Sequence, residues 1–145
     1  MDGQPVWNRV APPSRNGGSE MDAIQFVLLA LAGGLGAVSR FVLVEWIAVR
    51  WRGTLPWGTI LINLSGSLVL GLVTGLAMGH LLPETWRLIL GTGFLGGYTT
   101  FSTASVETVR LLRQGRVLAT LGNALGTLLA TVLAAGLGLW LGLAL

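Results

Sequence analysis

Apolar positions run along this chain in long blocks, and the charged positions gather mainly at and between the block ends. Four blocks reach the roughly 20 residues that a helix needs to cross a hydrocarbon core. They run from about Ile24 to Val49, Trp57 to Gly79, Trp86 to Val109 and Val117 to Leu143. The connections are short and carry turn or charge signals: Arg50 to Pro56, His80 to Thr85, and Arg110 to Arg116. Trp46, Trp51, Trp57, Trp86 and Trp140 fall at block ends, where indole rings favour the membrane interface. The pattern predicts an all-α integral membrane fold with four transmembrane helices.

The third block is unlike the others. Its centre reads Gly96-Gly97-Tyr98-Thr99-Thr100-Phe101-Ser102-Thr103, two adjacent glycines followed by four serine or threonine hydroxyls. Hydrocarbon punishes unpaired backbone groups, so a helix breaks at mid-membrane only where protein or a polar cavity covers the break. Transporters use such breaks to bind ions. The third helix is therefore expected to be broken at mid-membrane, with an ion close by.

Composition agrees with a membrane protein. The 145 residues are 52% hydrophobic and 10% charged, against about 25% charged in a soluble domain. One small channel-sized domain is expected over residues 23–145. Residues 1–22 form a polar leader rich in Pro, Gly and Asn, with a disordered composition. The leader lacks the apolar core of a signal peptide, and Met21 is an alternative start. Cysteine is absent, which excludes disulfides and thiolate metal sites.

The net charge of +3 comes from nine arginines and no lysine. Most lie near block ends, which fits topology and headgroup contact and not nucleic acid. Arg50, Arg52, Arg110, Arg113 and Arg116 share one side, five in all. The other side holds Arg87, joined by Arg9 and Arg15 if the leader is translated. The positive-inside rule then places both termini outside.

Small residues recur every fourth position in the second block, at Ser67, Gly71, Gly75 and Gly79. That step keeps to one helix face, and small faces allow close approach in lipid. Asn63 begins the same face and is expected to point into protein. Four helices make a thin bundle, so the small faces suggest a dimer that completes a polar path.

Few polar groups lie inside the blocks. Arg40 stands about ten residues, near 15 Å of rise, from the end of the first helix. A vestibule position that attracts anions suits it better than snorkelling. Glu107, two turns past the break, is a candidate pair partner or vestibule group. Asn123, Thr127 and Thr131 form a stripe at a spacing of four in the last block. The threonines can bond their own i−4 carbonyls, whereas the Asn123 amide needs partners. No enzyme motif appears: there is no HExxH, no phosphate-binding glycine loop and no paired-carboxylate site. Mid-membrane donors without acids favour an anion as the passenger.

Three ordered segments carry a resemblance. They are Gly33-Gly34-Leu35-Gly36-Ala37-Val38-Ser39-Arg40, then Gly58-Thr59-Ile60-Leu61-Ile62-Asn63-Leu64-Ser65-Gly66-Ser67, then Gly93 to Thr103 with Glu107 beyond it. From about Ala32 to Leu143 the chain resembles the Fluc-type fluoride channels, also called the CrcB family. The resemblance implies an antiparallel dimer with two narrow pores that pass fluoride passively out of the cell. Fluoride enters as neutral HF and is trapped as the anion, so such a channel protects against fluoride toxicity. The resemblance further implies a multi-pass protein of the cell inner membrane.

The same resemblance implies the site residues. A sodium ion at the dimer centre would be held by the backbone carbonyls of Gly96 and Thr99 of each subunit. The fluoride path would include Asn63, Phe101, Ser102, Thr103, Asn123 and Thr127, with Arg40 and Glu107 in vestibules. The positive edge of the Phe101 ring would partly replace water around the anion. The family carries a second phenylalanine three residues later, where this chain has Ala104. An arginine count of five to three suits a dual-topology homodimer; five to one suits a pair of homologous subunits in opposite orientation. A small multidrug-type four-span transporter is the alternative, but it calls for a central carboxylate in the first helix, where this chain offers only the peripheral Glu45.

Overall fold

The computed structural model describes residues 23–145 apart from Arg52 and Thr54. The leader expected over residues 1–22 lies outside the described residues, as do Arg9, Arg15 and Arg52 of the charge count. Helix α1 spans Ala23–Arg50 and α2 spans Trp57–Met78. The third block contains α3 (Glu84–Arg87), a π-helical segment (Leu88–Leu95), α4 (Gly96–Tyr98) and α5 (Phe101–Arg113). The fourth contains α6 (Val117–Leu121), a second π-helical segment (Gly122–Gly126) and α7 (Thr127–Ala144). Among the described residues, three helical runs are long and apolar enough to cross a membrane: Ala23–Arg50, Trp57–Met78 and Val117–Ala144. The third block is not one such run because the chain leaves helical geometry within it. Thr99 has ψ 158° and Thr100 has φ −149°, ψ 123°, both extended.

Glycine decides the packing. On α2, a Cβ at Gly71 would strike the Ala135 carbonyl of α7, and one at Gly75 would lie 2.5 Å from the Leu139 carbonyl oxygen. On α7, Gly138 and Gly142 meet the Leu68 and Leu72 carbonyls of α2 in the same way. The two backbones touch, and among the described elements α2 and α7 make the most extensive contact. Gly71 and Gly75 of the second-block stripe thus pack inside one subunit. Ser67 of the stripe instead lines an open cavity, and Gly79 is exposed. Helix α1 lies against the first half of the third block by the same device, Gly36 under the Phe94 carbonyl and Gly97 under the Gly33 carbonyl.

The outer surface is apolar. Phe26, Leu35, Phe41, Leu133 and Trp140 are each more than half exposed, while among the described residues the buried large apolar side chains are Ile62, Val73, Leu95 and Leu111. Such an inverted distribution suits lipid as the surrounding solvent. Two turns are sharply closed. His80 sits at φ 60° after α2, where Leu81 N–H donates to the Leu76 carbonyl at 2.9 Å. Gly115, at φ 72°, reverses the chain between α5 and α6.

Candidate functional site

The extended pair Thr99-Thr100 is held by one side chain. Asn63 Nδ2 donates to the Thr100 carbonyl at 2.9 Å, and Thr100 N–H donates to Asn63 Oδ1 at 2.8 Å. Both residues are buried. In an unbroken helix Thr100 N–H would bond the Gly96 carbonyl four residues back. Here it bonds Asn63 instead, and the Gly96 carbonyl is released. Gly96 itself is exposed, with open space where a Cβ would stand. Gly66 of α2 is required beneath the extended pair, since a Cβ there would strike the Thr99 methyl.

Thr100 also starts α5. Its hydroxyl accepts from Thr103 N–H at 3.2 Å and donates to Thr103 Oγ1 at 3.1 Å, with Ser102 Oγ at 3.2 Å. This is an N-cap, which satisfies a backbone donor that the helix cannot. Ser102 and Thr103 are therefore engaged with the cap. Phe101 is different: its side chain makes no core and is 87% exposed.

Beside the extended pair lies an open cavity of about 580 Å³, walled by α2, α5 and the fourth block. Asn63, Thr99, Phe101, Asn123 and Thr127 of the expected site line it, with Thr131 of the same stripe. Ala104 lines it too, so the missing second ring leaves open volume at that point. Ser67, Thr100, Ser105 and Thr108 complete its polar groups, and no carboxylate appears among the described lining residues. Ser102 and Thr103 do not line it. The second π-helical segment buries Asn123 to 2% exposure. A π turn adds a residue to the helix and rotates the residues beyond it, and such turns gather at functional sites.

The expected vestibule residues lie elsewhere. Glu107 accepts a hydrogen bond from Thr59 Oγ1 at 3.0 Å. It lines a separate cavity of about 220 Å³ with Trp51 and Trp57, whose rings meet edge to face at 6.1 Å. Arg40 is half-buried on α1 and lines neither cavity. Sequence gives Thr108 and Thr59 no functional mark, because a threonine in an apolar helix carries no signal until its partner across the bundle is known.

Comparison with known proteins adds the chemistry. The family profile described as CrcB-like protein, Camphor Resistance (CrcB), matches residues 27–139. The fluoride-specific ion channel FluC 1 of Leifsonia xyli is 56% identical over 101 residues, which cover 70% of this chain and 74% of that protein. FluC 2 of Cutibacterium acnes is 55% identical over 83 residues, 57% of this chain and 68% of that protein. FluC 1 of Symbiobacterium thermophilum is 45% identical over 104 residues, 70% and 83%.

Proposed function

The chain belongs to the CrcB family, and on that footing we propose that it is a fluoride-specific channel of the cell inner membrane. A channel moves its ion without chemical conversion, so no enzymatic step is involved. The observation that carries the reading is the cavity, which offers hydroxyls and amides from three helical blocks and no carboxylate among its described lining residues. Those groups can replace the hydration shell of a small anion. A negative lining would repel it.

In the proposed path, fluoride runs along the cavity past Asn63, Phe101, Asn123 and Thr127. Export is passive: the membrane potential, negative inside, drives the anion out. The four helical blocks cross the bilayer, and the extended Thr99-Thr100 pair falls at mid-membrane. The exposed Phe101 ring beside an open cavity supports an antiparallel dimer in which a second subunit closes the path. That second subunit is either an identical copy or a homologous chain of opposite orientation.

The released Gly96 carbonyl fits a structural sodium ion, because a hard cation takes oxygen ligands. Gly96 and Thr99 would hold it through their carbonyls, with the same pair from the partner. The ion would supply the positive charge that the freed carbonyls need. Density for a cation on the dimer axis, about 2.5 Å from these oxygens, would establish it; a break filled only by side-chain hydrogen bonds would remove it. The channel reading itself is tested in cells that lack fluoride export. Expression of this chain, with a homologous partner if one is required, is expected to restore growth in millimolar-range fluoride. Failure to do so with folded protein in the membrane would overturn it.

A further inference from the structure

The Asn123 amide is oriented by one hydroxyl. Asn123 Nδ2 donates to Thr108 Oγ1 at 2.7 Å, and Thr108 Oγ1 donates to the Ala104 carbonyl at 2.8 Å. A threonine hydroxyl has a single proton, and here the Ala104 carbonyl holds it. With its proton on that carbonyl, the Thr108 oxygen accepts from Asn123. Asn and Gln orientation is inferred from such networks, and the answer that sets Nδ2 on Thr108 keeps both hydrogen bonds, Asn123 to Thr108 and Thr108 to Ala104.

That answer leaves Asn123 Oδ1 buried without a protein partner. Thr127 Oγ1, one turn on, is likewise buried and unpaired. An amide free to choose would satisfy its oxygen, since an unmet buried acceptor is unfavourable. The Thr108 hydroxyl is the partner that holds the amide in this orientation. Asn123 lines the cavity with its oxygen buried, so the donor it has left for a passenger is the second Nδ2 proton. An anion needs a donor, and a carbonyl oxygen in its place would repel it.

We infer that Thr108 is a positioning residue: it locks the Asn123 amide with N–H, and not the carbonyl oxygen, available to the ion in the cavity. The inference rests on the channel reading for the identity of the ion, but not for the lock itself. Two readouts separate them. In liposomes, Thr108→Val is expected to lower fluoride flux by about fivefold to tenfold, the scale of one lost hydrogen bond. Thr108→Ser keeps the hydroxyl and is expected to stay within about twofold of wild type. In an Asn123→Ala background, Thr108→Val is expected to add less than about twofold, because a residue acting through another has no effect without it. In ¹⁵N-labelled protein in nanodiscs, the bonded Asn123 side-chain proton is expected to resist exchange in wild type and Thr108→Ser and to exchange freely in Thr108→Val. An unchanged amide signal in Thr108→Val, or its full flux loss in the Asn123→Ala background, would overturn the inference. Wild type that carries no fluoride but shows the amide pattern would sink the channel reading and leave the lock in place.

Discussion

Replacing Asn63 with alanine removes both hydrogen bonds that hold the extended pair. Thr100 is 8% exposed and Asn63 is 9% exposed, so water does not readily take over. Two buried backbone groups, the Thr100 N–H and C=O, are left unmet. Each orphan costs about 1–3 kcal/mol, which sums to roughly 2–6 kcal/mol. Against a total stability of roughly 5–15 kcal/mol, that is a large share. The chain has one escape: Thr100 N–H can return to the Gly96 carbonyl and rebuild the helix. That route straightens the break and withdraws the carbonyl proposed for sodium, so function fails even where the fold survives. Asn63→Asp separates the two bonds. Its carboxylate still accepts from Thr100 N–H but faces the Thr100 carbonyl with no proton to give. We expect Asn63→Ala and Asn63→Asp both to lower the unfolding midpoint in detergent, by roughly 10 °C or more, and to abolish fluoride flux. An Asn63→Ala protein with the wild-type midpoint and wild-type flux would refute the clamp.

Gly138→Ala is expected to lower the unfolding midpoint markedly, because its Cβ collides with the Leu68 backbone and overpacking costs about 1–3 kcal/mol or more. Gly136→Ala, with nothing near its Cβ, is expected to remain within about 1 kcal/mol of wild type; monodispersity on size exclusion after heating distinguishes the two. Phe101→Ala is expected to leave the subunit's unfolding midpoint unchanged, since the ring is outside the core, while cutting flux by roughly fivefold to tenfold, the worth of an aromatic edge contact. His80→Gly is expected to stabilise by up to about 1 kcal/mol, because glycine occupies a positive φ without steric penalty; His80→Val should do the reverse in the same thermal assay.

The helical blocks were legible in the sequence because hydropathy is a local property. The block ends at Val49, Gly79 and Leu143 fall within one residue of the helix ends at Arg50, Met78 and Ala144. The unusual centre of the third block was legible for the same reason, since glycine and hydroxyls stand out in an apolar run. What holds that centre was not. Asn63 and Thr100 are 37 residues apart, and Thr59 and Glu107 are 48 apart. A pairing between helices depends on rotation about each axis, which composition does not encode. The second-block glycines show the same limit. Their spacing announced close approach, but only the coordinates say that α7 is the helix approached. Asn123 stands out in sequence because an amide in hydrocarbon must find partners. Its partner Thr108 stayed hidden, because threonine can satisfy itself on its own helix. The carboxylate of Glu107 belongs with Trp51 and Trp57 at a second cavity, apart from the polar cavity that Asn63 and Asn123 share.

The central claim is that this chain passes fluoride. Purified protein in liposomes loaded with fluoride tests it most directly, with a potassium ionophore supplying the counter-current and an electrode recording the anion outside. The account expects rapid efflux that depends on the ionophore, with chloride-loaded liposomes releasing far less. Folded, assembled protein that releases no more fluoride than empty liposomes would contradict it.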